Sequence, residues 1–284
     1  MKAASPTPTA SPPSTASMPQ WARGLERRLL TGTGVRPTDR FWADPARPLS
    51  DAGYGPDPWQ SDALRADDPR VLLCCCRQAG KSTVAAALAL RAALLVPGSL
   101  VLLLSPTLRQ SGELFRDKVL RLYNALGKPV SATRLTALTL ELGNGSRIVS
   151  LPGEEGTVRG YSGVALLVID EAARVADELY RGVRPMLAVS GGRLLALSSA
   201  YAKQGWYYEE WAGAAPWRRY KVTARDCPRI DPAFLAEERA ALGPTWFSME
   251  YECEFTAGVA GMFRPEDIAA MFDNDLQPLF AEAP

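Results

Sequence analysis

From residue 70 onward, short and uniformly apolar runs alternate with longer segments in which apolar residues recur at helical spacing. The runs Val71–Cys76, Leu100–Ser105, Ala165–Asp170 and Leu194–Ser198 read as strands. They offer no polar face to water, which marks strands sandwiched between helices in a parallel sheet. Leu135–Leu142 and Arg147–Leu151, joined by Gly143-Asn144-Gly145-Ser146, read instead as a hairpin. Helical periodicity covers Trp59–Ala66, Lys81–Leu95, Arg109–Leu126, Asp177–Val189, Pro232–Leu242 and Thr245–Glu254. The alternation predicts an α/β fold, three-layer αβα, around a mostly parallel central sheet.

Ahead of this rhythm the pattern changes. Residues 1–19 are almost all Ala, Ser, Thr and Pro and predict a disordered tail, because they carry too little apolar surface to offset the entropy of ordering. Between Trp21 and Pro48, Arg23, Arg27, Arg28, Arg36, Arg40 and Arg47 are interleaved with Trp21, Phe41 and Trp42. That is either a nucleic-acid-binding arm or a solvated helix and loop with aromatic anchors.

Composition then narrows the chemistry. The 284 residues are 47% hydrophobic, enough for a sizeable core in one large domain or two small ones. Thirty-two basic against 31 acidic residues leave a net charge of +1, so nucleic acid would have to be met by a local patch. The absence of histidine excludes His triads, His-ligated zinc and a His base, leaving carboxylates, Lys, Arg, hydroxyls and metal-bound water. Cys74, Cys75 and Cys76 are consecutive, alternate faces on a strand, and predict buried free thiols in a reducing cytoplasm. The longest apolar stretch, Val84–Val96, is interrupted by Arg91 and falls well short of the roughly 20 residues that cross a bilayer. No membrane association is expected.

Two segments carry candidate chemistry. In the first, the apolar run from Val71 enters Arg77-Gln78-Ala79-Gly80-Lys81-Ser82-Thr83 and then an Ala-rich helix, the context of a P-loop. There, backbone N–H groups and the helix N-terminus surround phosphates, Gly80 keeps bulk away, Lys81 neutralises the β- and γ-phosphates, and Ser82 binds Mg²⁺. The first glycine of the general pattern is replaced by Cys75. In the second, Leu166-Leu167-Val168-Ile169-Asp170-Glu171 is an apolar strand ending in two carboxylates. Asp170 is expected to hold Mg²⁺ and Glu171 to take a proton from the water that attacks the γ-phosphate. Together they predict an ATP or GTP hydrolase. Ser198-Ser199-Ala200, at the next strand end, are candidates for coupling γ-phosphate loss to motion, and Gln60 for binding an adenine edge.

With these pieces assembled, the chain resembles the ATPase domain of the large terminase subunit, the DNA-packaging motor of tailed bacteriophages and prophages. The resemblance runs over Trp59-Gln60, Arg77 to Ser82, Ser105-Pro106-Thr107, Arg159-Gly160-Tyr161, Val168 to Ala172, Ser198-Ser199-Ala200 and Thr223 to Ile230. That family commonly lacks the first P-loop glycine and has a basic residue where Arg77 stands. The resemblance implies an additional-strand catalytic-Glu P-loop NTPase of RecA-like type, using ATP and Mg²⁺. It implies partners as well: duplex DNA, a small terminase subunit, the portal protein and a homo-oligomeric ring in the host cytoplasm, with a monomer as the alternative for the isolated domain. Arg77 would act in cis near the γ-phosphate, and Arg159 would serve a neighbouring subunit as an arginine finger.

On this reading residues 20–258 form the ATPase domain with a helical lid part, and residues 259–284 a linker stub. Met262-Phe263-Arg264-Pro265-Glu266-Asp267 resembles the start of the family's nuclease domain, and too little follows it to expect nuclease activity. A single RecA-like helicase domain and a non-hydrolysing prophage adaptor stand as alternatives.

Overall fold

A computed structural model describes residues 40–153, 158 and 160–257. The expected tail at 1–19, most of the Trp21–Pro48 segment, Arg159 and the stub at 259–284 lie outside the described residues.

Three short helices, α1 (Arg40–Ala43), α2 (Arg47–Asp51) and α3 (Pro58–Arg65), lead into β1 (Arg70–Cys75) and α4 (Lys81–Leu95). After β2 (Leu100–Ser105), the expected helix at 109–126 is three consecutive pieces: α5 (Leu108–Glu113), a π-helical segment (Leu114–Leu120) and α6 (Arg121–Ala125). The expected strand Leu135–Leu142 begins later, as β4 (Thr139–Leu142), and is preceded by an unexpected strand, β3 (Ala132–Leu135), across a turn in which Thr136 N donates to Thr139 O. Then follow β5 (Arg147–Pro152), β6 (Val164–Asp170), α7 (Asp177–Val183), β7 (Arg193–Ser198), α8 (Gly205–Ala212), β8 (Arg218–Val222) and α9 (Pro232–Tyr251). The helix α7 stops well before the expected Val189; a 3₁₀ turn with Pro185 follows, and proline cannot continue the hydrogen-bond ladder. Inside α9, Gly243 at φ 73° followed by Pro244 makes a kink, which preserves the two separate helical stretches that the sequence predicts.

The eight strands form one sheet in the order β3-β4-β5-β2-β6-β7-β1-β8. β4 pairs antiparallel with β5 across the Gly143–Ser146 turn, and β3 pairs antiparallel with β4; the other pairs are parallel. Alternate strand residues feed two cores. Leu73, Val101, Leu103, Val168 and Leu197 pack with α4, whereas Leu72, Leu102, Leu104, Leu167 and Ile169 pack with Leu179, Tyr180, Trp206 and Tyr207. Both faces of the sheet are therefore dry, and the central runs need no polar alternation. β8 went unread in the sequence because it is an edge strand, Arg-Arg-Tyr-Lys-Val, with only Val222 buried. Among the described residues no helix is long and apolar enough to cross a membrane.

The position of β7 decides the layout of the site. It separates β1, which feeds the candidate loop at residues 76–81, from β6, which ends in Asp170. Ser198 thus emerges between the two candidate segments, at the carboxyl ends of parallel strands where α/β sheets bind ligands.

Candidate active site

Between Cys75 and Lys81 the chain turns without a side-chain cap on α4, leaving the first N–H groups of that helix to the loop. Gln78 at φ 60° and Gly80 at φ 91° bend it through left-handed conformations. At Gly80 a glycine is required twice over, because a Cβ there would also approach Gln60 Nε2 to 2.5 Å. The helix behind is packed tightly: Val84 to Leu90 are all buried, and the run of alanines keeps its girth small.

Across from the loop, Lys81 Nζ lies 3.3 Å from Glu171 Oε1. Asp170 is 8% exposed, and Ser82 lies against it and favours its charged form. Glu171 sits at φ 49°, ψ 42°, a left-handed backbone that costs a non-glycine residue on the order of 1 kcal/mol. Its N–H donates to Asp170 Oδ1 at 3.0 Å, so the bend turns the two carboxylates toward one site. The segment leaving Glu171 is tied down by Trp206, whose Nε1 donates to Val175 O and whose ring stacks on Tyr180 at 3.8 Å.

Burial disfavours the Lys81 charge, but Glu171 and Asp170 outweigh it and its pKa rises. Asp170 is pushed up to about 6, first by burial and then by the neighbouring Glu171, against the opposing pull of Lys81. Because this value lies above the ordinary 3.8, the penalty for its charge is absent below pH 3.8 and fully present above about pH 6. The gap is worth about 3 kcal/mol. Asp170→Asn is therefore expected to raise the thermal midpoint by several degrees at pH 7.5, with the gain shrinking toward pH 4. Melting curves of both proteins across that range test this; an equal offset at every pH would refute it.

The other expected residues divide. Ser198, Ser199 and Ala200 are buried at the β7 end beside the site. Arg77 is largely exposed and 3.9 Å from Glu250, while its N–H donates to Glu250 O. Ala79 is buried, and Thr83 N donates to Gly80 O in the first turn of α4. Gln60, the expected adenine contact, has structural partners: its oxygen accepts from Asp57 N at 2.9 Å and its Nε2 donates to Ala79 O at 3.3 Å. Asp57, Arg229 and Glu250 touch the loop or its partners and carried no sequence signal for that role. The five cysteines are free and buried, as expected.

The candidate loop, an acidic strand end and a third strand between them, on a mostly parallel sheet, give a RecA-like P-loop NTPase fold of the additional-strand type. Residues 73–270 match the family described as terminase large subunit, T4likevirus-type, N-terminal. The chain belongs to that family. Among solved structures it is similar to the large terminase ATPase domain of Thermus phage P74-26, at 22% identity and TM-score 0.66, covering 78% of this chain and 100% of that one. The HK97 bacteriophage large terminase is similar at 17% identity and TM-score 0.62, over 78% of this chain and 56% of that one. A large terminase from a thermophilic bacteriophage, solved in complex with ATP-gamma-S, is similar at 14% identity and TM-score 0.59, over 71% and 53%. The chain thus spans little more than half the length of these last two. No curated protein matches the sequence.

Proposed function

We propose that this chain is a Mg²⁺-dependent ATP hydrolase, the motor of a phage or prophage large terminase, which drives double-stranded DNA into a procapsid. One observation carries the reading: Lys81 stands 3.3 Å from Glu171, with Ser82 against Asp170, at the ends of strands that flank β7. Gln78, Ala79, Gly80, Lys81, Ser82 and Thr83 cradle the phosphates, and Glu171 orients and deprotonates the attacking water. Ser82 and Asp170 would hold the metal. The donor set fits Mg²⁺, since one hydroxyl and one buried carboxylate suit a cation that keeps its waters and shares phosphate oxygens. When bound, Mg²⁺ neutralises charge developing on those oxygens.

Arg77 is exposed enough to leave Glu250 and approach the γ-phosphate from the same chain. The trans role of Arg159, the ring on a portal, the small terminase partner and the host cytoplasm rest on the family alone. So does a domain spanning residues 20–258 with a C-terminal helical lid part. The test is phosphate release by purified protein with and without Mg²⁺ and linear duplex DNA. Metal-dependent turnover that DNA accelerates is expected. Nucleotide binding without turnover at any protein concentration would favour a non-hydrolysing adaptor.

A further inference from the structure

Three segments far apart in the chain meet at one backbone carbonyl. Ala79 O accepts from Gln60 Nε2 at 3.3 Å and from Arg229 Nη2 at 3.0 Å. The other arm of the same guanidinium, Nη1, donates to Asp57 Oδ1 at 2.7 Å, and Asp57 is 7% exposed. Gln60 is fixed in turn by accepting from Asp57 N at 2.9 Å. The guanidinium therefore spans an acid and a carbonyl that belong to different elements, a geometry that its planar fork permits and a lysine ammonium does not.

In a trans peptide the C=O and the next N–H point in opposite directions. Holding Ala79 O toward Gln60 and Arg229 therefore turns the Gly80 N–H away from them, toward the open side of the loop where phosphate is expected. Gly80, with no Cβ, lets Gln60 come this close. The same C-terminal region grips the loop at two more points, Cys76 N donating to Val222 O and Arg77 N to Glu250 O.

We propose that Arg229 and Asp57, with Gln60, are positioning residues that lock the Ala79–Gly80 peptide plane in its anion-binding orientation, so that the segment after β8 sets the affinity of the phosphate loop. The inference rests on the reading of this loop as a nucleotide site. It makes the segment between β8 and α9 a control on nucleotide binding.

The test uses Arg229→Met, which keeps length and removes both hydrogen bonds, and Arg229→Lys, which keeps the charge beside Asp57 and loses the fork. Binding of a fluorescent ADP, steady-state ATP kinetics, thermal midpoint and amide exchange over residues 76–82 are read for each. Both variants are expected to weaken ADP binding by about tenfold or more and to raise KM more than they lower kcat; the thermal midpoint should stay close to wild type in Arg229→Lys and fall in Arg229→Met, which leaves the buried Asp57 carboxylate without its cation. Exchange over residues 76–82 should quicken in the free protein. Should Arg229→Met not fold, Asp57→Asn replaces it, since Asn suits a helix start as well as Asp. Wild-type affinity in the lysine variant would reduce Arg229 to a simple ion-pair partner and overturn the proposal, as would unchanged exchange. Failure of the wild-type protein to bind ADP would instead sink the nucleotide reading, and the exchange measurement would still decide the lock.

Discussion

Glu171→Gln protein is expected to bind ATP while losing roughly 10²–10⁴ in turnover, the usual contribution of a positioned general base. Glutamine preserves shape and one hydrogen bond, so the left-handed bend at residue 171 and its N–H bond to Asp170 should persist. Affinity should hold or rise. In the free protein Lys81 is drawn to Glu171 at 3.3 Å, and a neutral partner leaves that ammonium freer to face phosphate. Rapid-quench turnover set beside equilibrium binding of ATP-gamma-S separates the two effects. Loss of binding together with turnover would make Glu171 a structural residue and not a base.

Lys81→Ala is expected to fail differently, with nucleotide affinity falling roughly 10²-fold or more, because a largely buried cation proposed to face the β- and γ-phosphates is removed. Its loss also strips Glu171 and Asp170 of the charge that offsets them, so the pair of carboxylates would repel both each other and the incoming phosphates. Turnover at saturating ATP should remain low. Titration with ATP-gamma-S gives the answer; wild-type affinity in this variant would mean that the loop does not face the phosphates.

The candidate site was legible to the extent that its groups are contiguous in the chain. Arg77 to Thr83 and Asp170-Glu171 each sit at the end of an apolar run, and such runs announce buried strands without any knowledge of their order. The order itself, with β7 between β1 and β6, arises from pairing across the sheet, which no local pattern encodes. β8 was hidden because its Arg, Tyr and Lys face water at a sheet edge. α8 was hidden because Trp206 and Tyr207 stand in a stretch rich in aromatics that has no helical stripe. Gln60 shows a different limit. Its place one element before the loop marks it as a candidate base contact, while the bonds that hold it against Asp57 and Ala79 are shared with Arg229, 172 residues from Asp57, and no local pattern announces them.

The central claim is that Glu171 and Lys81 belong to one hydrolytic site. Single-turnover cleavage of ATP by excess protein with Mg²⁺ tests it most directly, because binding, chemistry and release are then separated and enough protein is present for any assembly to form. Wild-type protein should convert bound ATP to ADP and phosphate, Glu171→Gln should hold ATP uncleaved, and Lys81→Ala should leave it in solution. Cleavage by Glu171→Gln at the wild-type rate would contradict the account.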